Sequence, residues 1–167
     1  NLQMILEVVR VIVGILFIFS GIVKCVDPIG GAIKIEDYFI AWGLTGIPMA
    51  VCTTLSVIQN ILEFLVGYAL LFNIFVPLAS IGALLFMIIF TPLTLYIAVA
   101  NPVSDCGCFG DAVKISNWQT FYKNLVFLPL TVVLVIFRNC FKTDLKRWRK
   151  LAILFLGALV GFMFMIK

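Results

Sequence analysis

The 167-residue chain contains no histidine, and only 12% of its residues are charged. Without an imidazole there is no histidine ligand for haem, no mixed Cys/His zinc site and no histidine base to activate a serine or cysteine nucleophile. The five cysteines, Cys25, Cys52, Cys106, Cys108 and Cys140, include no pair at CxxC spacing. Repeats of fixed period, low-complexity tracts and long linkers are absent too, so the chain reads as one compact helical domain.

What fills the sequence is apolar surface, with 63% hydrophobic residues. That share lies far above the composition of a soluble domain. Five apolar stretches, at about 4–23, 48–71, 76–100, 120–137 and 151–166, approach the roughly 20 helical residues needed to cross a bilayer. The fold class that follows is an all-α integral membrane protein: a four-helix transmembrane bundle over residues 1–137 and a fifth transmembrane helix over 151–167. The last two stretches are short, which leaves four spans plus an interfacial helix as the alternative. Arg10 lies inside the first apolar run, and no small-residue cleavage site follows it, so this run is retained rather than removed as a signal peptide. The start at Asn1 suggests that leading residues precede it.

Positive charge in short loops marks the cytoplasmic side. Residues 138–150 carry Arg138, Lys142, Lys146, Arg147, Arg149 and Lys150 against Asp144 alone. This loop is therefore expected in the cytoplasm, with the N-terminus on the same side. The 24–47 segment, the Cys106 loop and the C-terminus are then expected outside, where a further extracytoplasmic domain would begin. The net charge of +4 is accounted for by topology and calls for no nucleic acid; the bilayer is the partner it implies, and the basic loop also suits anionic headgroups.

Between the first two spans, Ile35, Tyr38, Phe39 and Trp42 recur at helical spacing, which predicts a short amphipathic helix in the outer interface. Tyr38, Trp42, Trp118 and Tyr122 near the outer span ends, with Trp148 at the inner face, form an aromatic belt. Pro92 and Pro129 fall inside the third and fourth spans, where they are expected to kink the helices.

Two charges sit within the spans. Arg10 lies roughly 10 Å from the cytoplasmic start of the first, and Glu63 roughly 12 Å from the cytoplasmic end of the second. At a shared depth an Arg10–Glu63 bridge is the expected arrangement, because an unpaired ion in hydrocarbon costs several kcal/mol. Gln59 and Asn60, one turn before Glu63, extend this into a polar stripe facing the interior. A clasp between two helices and a proton or headgroup route both fit it, with Glu7 snorkelling to the cytoplasm.

Chemistry is written most plainly in Asp105-Cys-Gly-Cys-Phe-Gly-Asp111. A disulfide between Cys106 and Cys108 closes a small strained ring, and strain makes a disulfide more oxidising. Gly107 and Gly110 supply the backbone freedom such a ring needs. Four cysteines fall on the expected outer face, where thiol pairs are used as disulfides. The pair therefore admits redox work, a structural disulfide that includes crossed pairing with Cys25 or Cys52, or soft-metal binding. No local cation depresses a thiol pKa, and Lys114 is the nearest in sequence. No resident metal is expected, and Cys140 reads as incidental.

Arg10 with Phe17-Ile-Phe-Ser-Gly21, Lys24, Asp27-Pro28, Glu63, Gly67 and Asp105-Cys-Gly-Cys-Phe-Gly110 together resemble the DoxX-like superfamily. Within it, the chain is most similar to the methylamine utilisation protein MauE branch over about residues 5–137. The stretch from Asn117 to Asn124 is similar to versions found in Bacteroidota. The resemblance implies a four-helix core like that of vitamin K epoxide reductase and its bacterial relatives. It also implies a role in forming or maintaining disulfides of periplasmic proteins, with Cys106 and Cys108 as the redox residues. The fifth span lies outside the resemblance, and the lack of CxxC leaves a quinone cofactor unsupported. Two functions follow as expectations. One is a thiol-disulfide oxidoreductase of the bacterial inner membrane that exchanges with a periplasmic client or thioredoxin-like protein, with Cys25 or Cys52 resolving. The other is a non-enzymatic accessory subunit of a larger membrane or envelope complex. A DoxX-type role beside a quinol oxidase is a weaker third.

Overall fold

The computed structural model describes residues 1–101 and 116–166. Its described residues form six α-helices and no strand: α1 (Leu2–Val26), α2 (Pro28–Ala41), α3 (Met49–Leu71), α4 (Val76–Ala100), α5 (Asn117–Ile136) and α6 (Arg147–Met165). All but α2 are long and apolar enough to cross a membrane, and the chain is an all-α integral membrane protein. Large apolar side chains such as Ile12, Leu85, Val126 and Phe155 stand exposed around it, as a lipid-facing surface requires.

The antiparallel pair α1 and α3 forms the spine, and glycines set its register. Gly14 lies against Leu71, Gly21 against Phe64, and Gly67 against Phe17 and Ile18. A Cβ on Gly67 would stand 2.5 Å from the Ile18 nitrogen, and one on Gly21 would stand 2.8 Å from the Phe64 Cα. Close backbone approach of this kind drives helix pairing in lipid, where burial of apolar surface supplies no net force.

The α4–α5 pair packs across this spine. Phe17 meets Phe86 edge to face at 6.0 Å, and Val13, Leu70, Val76, Ala83, Met87 and Leu134 are buried around them. Helix α6 docks on α3 through Gly157 and Gly161, spaced four apart so that both face the rings of Tyr68 and Phe64. Pro92 and Pro129 lie inside α4 and α5, and each helix continues past its proline.

Two helices start earlier than their apolar runs. α5 begins at Asn117 because Ser116 and Gln119 form a reciprocal capping box. α6 begins at Arg147, so its first turn is built from the basic loop.

The expected interfacial helix is α2. Asp27 caps it, its side chain accepting from the Gly30 nitrogen at 2.9 Å, and Pro28 occupies the first turn. α2 leans across the neighbouring ends of α3 and α4: Gly31 faces Ser56, and Tyr38 packs with Ile97 and Leu93. Trp42 falls on the C-cap and is exposed rather than on the packed face.

Candidate functional site

The α1–α3 register overturns the expected Arg10–Glu63 bridge. Because Gly14 is level with Leu71, the last residue of α3, α1 overhangs α3 by about 12 residues, or roughly 18 Å. Arg10 belongs to this overhang. Its Nη1 donates to the carbonyls of Leu70 and Leu71, the latter at 3.1 Å, and so satisfies the open C-terminus of α3. Its Nε and Nη2 donate to Glu7 at 2.9 and 2.5 Å, so Glu7 is an ion-pair partner.

Glu63 pairs instead with Lys24, whose Nζ lies 2.6 Å from Glu63 Oε2. Both side chains are about nine-tenths buried. The Lys24 ammonium also lies 5.4 Å from the centre of the Phe90 ring. On α3 the buried polar stripe reads Cys52, Ser56, Asn60 and Glu63, at the spacing of one helix face. Asn60 Nδ2 donates to the Lys24 carbonyl at 3.0 Å, and Ser56 Oγ to the Pro28 carbonyl at 2.9 Å. α3 thereby ties down the joint between α1 and α2.

Gln59 is turned away from this stripe. It is the polar side chain lining a cavity of about 560 Å³ otherwise bounded by apolar groups, among them Ile35, Leu55, Leu62, Phe86 and Phe90. One residue along a helix rotates the side chain by about 100°, enough to separate Gln59 from Asn60.

The α4–α5 pair supplies a second row of buried polar groups. Asn117 Nδ2 donates to Asn101 Oδ1 at 3.0 Å, joining the described ends of the segment that carries Cys106 and Cys108. Those two cysteines lie outside the described residues. Further into the bundle, Thr120 is 1% exposed, and Asn124 Nδ2 donates to Thr94 Oγ1 at 3.3 Å. Lys123 and Asn124 then line a small space with Ser20, Lys24 and Glu63. Its volume of about 20 Å³ is enough for one water molecule among polar partners. Buried polar groups thus recur from Asn101 and Asn117, which flank the segment carrying Cys106 and Cys108, to an ion pair within an apolar bundle. Such groups are expensive in hydrocarbon, and they can hold water, move a proton or bias the charge state of a group above them.

Cys25 and Cys52 lie at this same end of the bundle, both fully buried and both free thiols, whereas Cys140 is exposed near the basic end. Among the described residues, no group of three or more His, Cys, Asp or Glu side chains is arranged to hold a metal.

The sequence reading missed Lys24 as the partner of Glu63, and it missed the row Asn117, Thr120, Asn124. The second carried little signal, because Gln119 and Lys123 interleave with these positions in the first two turns of α5.

No curated protein and no solved structure is matched by the chain. The family model of the methylamine utilisation protein MauE matches residues 2–137, which takes in α1 to α5 with the thiol loop and stops short of α6, and the chain belongs to that family.

Proposed function

We propose that this MauE-family membrane protein is a thiol-disulfide exchange protein of the bacterial cytoplasmic membrane, with Cys106 and Cys108 as the reacting pair on the periplasmic face. The observation that supports the reading is the Asn101–Asn117 link, because it joins the two described residues that flank the Cys106–Cys108 segment, on the α4–α5 pair whose buried polar groups reach towards Lys24 and Glu63. The basic residues of 138–150, at the opposite end, support a loop on the oxidising side by the loop-charge rule.

In the exchange, a client thiolate attacks one sulfur of the Cys106–Cys108 disulfide, forming a mixed disulfide and releasing the other cysteine as a thiolate. The client's second thiolate then attacks the mixed disulfide. The client leaves as a disulfide, oxidised by two electrons, and the pair is left as a dithiol after protonation. A disulfide on a thioredoxin-like partner accepts the two electrons on the return, regenerating the pair. Cys25 and Cys52 are packed away from the client.

Maleimide labelling of membranes poised at a series of redox potentials tests this. Cys106 and Cys108 are expected to gain two labels together on reduction and lose both on oxidation. A pair that stays reduced in oxidising membranes overturns the proposal. Replacing both by serine is expected to abolish client oxidation; a protein that keeps full function without them is an accessory subunit instead.

A further inference from the structure

We propose that the basic end of the bundle, remote from the thiol loop, contains a binding pocket for the phosphate headgroup of an anionic lipid. The pocket lies where the α3–α4 turn meets the segment leading into α6. Its volume is about 500 Å³, and its lining includes Asn73, Phe75, Phe141, Lys142, Asp144 and Lys150. That is within the usual range for small-ligand pockets.

Fixed groups build its walls. Asn73 and Phe75 both hold the left-handed backbone conformation, with φ of 56° and 46°, which turns the chain sharply between α3 and α4. Asn73 Nδ2 donates to the Lys142 carbonyl at 3.1 Å and fastens the basic segment onto that turn. Phe141 is buried, with the Arg10 guanidinium 5.9 Å from its ring centre, and Arg10 is itself anchored to the end of α3. Lys150 Nζ stands 5.7 Å from the centre of the Phe75 ring.

The charges lack balance. Lys142 and Lys150 line the pocket against Asp144 alone, and Lys146, Arg147 and Arg149 stand beside it in sequence. Four of these cations crowd the start of α6, whose first turn has no acidic residue and whose N-cap makes no side-chain bond. Cations at the positive end of a helix repel its dipole, so a bound anion relieves both the dipole and the mutual repulsion. The apolar half of the wall, Phe75, Val76, Pro77 and Phe141, selects a lipid over free phosphate. The pocket lies at the ends of the spans, where a headgroup sits, and Leu78 and Trp148 beside it are 71% and 84% exposed.

The test titrates the full chain in neutral detergent with phosphatidylglycerol, phosphatidylcholine or inorganic phosphate, reading retained lipid and the unfolding midpoint. Phosphatidylglycerol alone is expected to bind and to raise the midpoint. Lys142→Gln with Lys150→Gln is expected to weaken its binding by about thirty-fold, and Lys150→Gln alone by about five-fold, should the double variant not fold. Lys142→Arg with Lys150→Arg retains binding. Arg147→Gln with Arg149→Gln removes the same charge outside the pocket and is expected to cost much less affinity. Equal losses from the two glutamine pairs would mean diffuse surface attraction and overturn the pocket. Inorganic phosphate acting as well as phosphatidylglycerol would overturn the lipid assignment.

Discussion

The Lys24 ammonium meets the Glu63 carboxylate at 2.6 Å, joining the last turn of α1 to the middle of α3 inside an apolar bundle. Two ions removed from water repay their desolvation only in each other's company, so removing one partner is worse than removing both. Glu63→Gln or Lys24→Met alone is expected to destabilise the protein by about 3–5 kcal/mol, a fall of roughly 10 °C in the detergent unfolding midpoint. Combining Lys24→Met with Glu63→Leu is expected to recover more than half of that loss. A double variant as unstable as the sum of the singles would show that the pair is not coupled.

The misassigned bridge shows what a membrane sequence withholds. Span number, helix type and the interfacial α2 were legible because apolar run length and helical spacing report them residue by residue. Depth is not, since counting from the edges of apolar runs supposes that the helices end level. Gly14, Gly21 and Gly67 decide the true register, and a glycine in a span does not declare which backbone it will touch. Side chains on α5 raise a similar difficulty. Thr120 and Asn124 look like scattered polar residues until Thr94 and Asn101 arrive from α4 to meet the row they form with Asn117. The spacing of Cys106 and Cys108 suggests redox chemistry in the sequence, and the two cysteines fall outside the described residues.

The glycine register carries its own prediction. Gly67→Ala puts a Cβ against the backbone of Phe17 and Ile18, and Gly21→Ala puts one against the backbone of Phe64, neither of which moves aside cheaply. Each is expected to lower stability by about 1–3 kcal/mol, the usual range for overpacking a tight contact. Gly82→Ala meets only the Cγ2 methyl of Val66, at 3.1 Å, and is expected to lose less. Unfolding midpoints of the three variants in one detergent check the ranking; a Gly82→Ala protein as unstable as Gly67→Ala would contradict it.

Burial separates the cysteines outside the thiol loop. Cys25 and Cys52 have no exposed surface, and Cys140 is exposed. In the folded protein with Cys106 and Cys108 replaced by serine, a small maleimide is expected to label Cys140 within minutes and to leave Cys25 and Cys52 unmodified until denaturant is added. Intact mass before and after unfolding counts the labels, with one expected before and three after. Rapid labelling of either buried thiol in the native state would show that the α1–α2–α3 joint opens.

Arg10 closes the other end of the spine. Its Nη1 serves two carbonyls at the C-terminus of α3, while Nε and Nη2 hold Glu7, which only a planar fork of several donors can do at once. Arg10→Ala leaves the Leu70 and Leu71 carbonyls without that donor at a helix end that is largely buried, and the expected loss is about 2–3 kcal/mol. Lysine has the charge but one nitrogen, so Arg10→Lys is expected to recover less than half. Glu7→Gln should matter least, because the Glu7 side chain is 37% exposed and a partly solvated pair contributes little. The order Ala, Lys, then Glu7→Gln in unfolding midpoint is the expected outcome. If Arg10→Lys matched the wild type, Arg10 would be acting through its charge, and the cap on α3 would have no part in holding this end of the bundle.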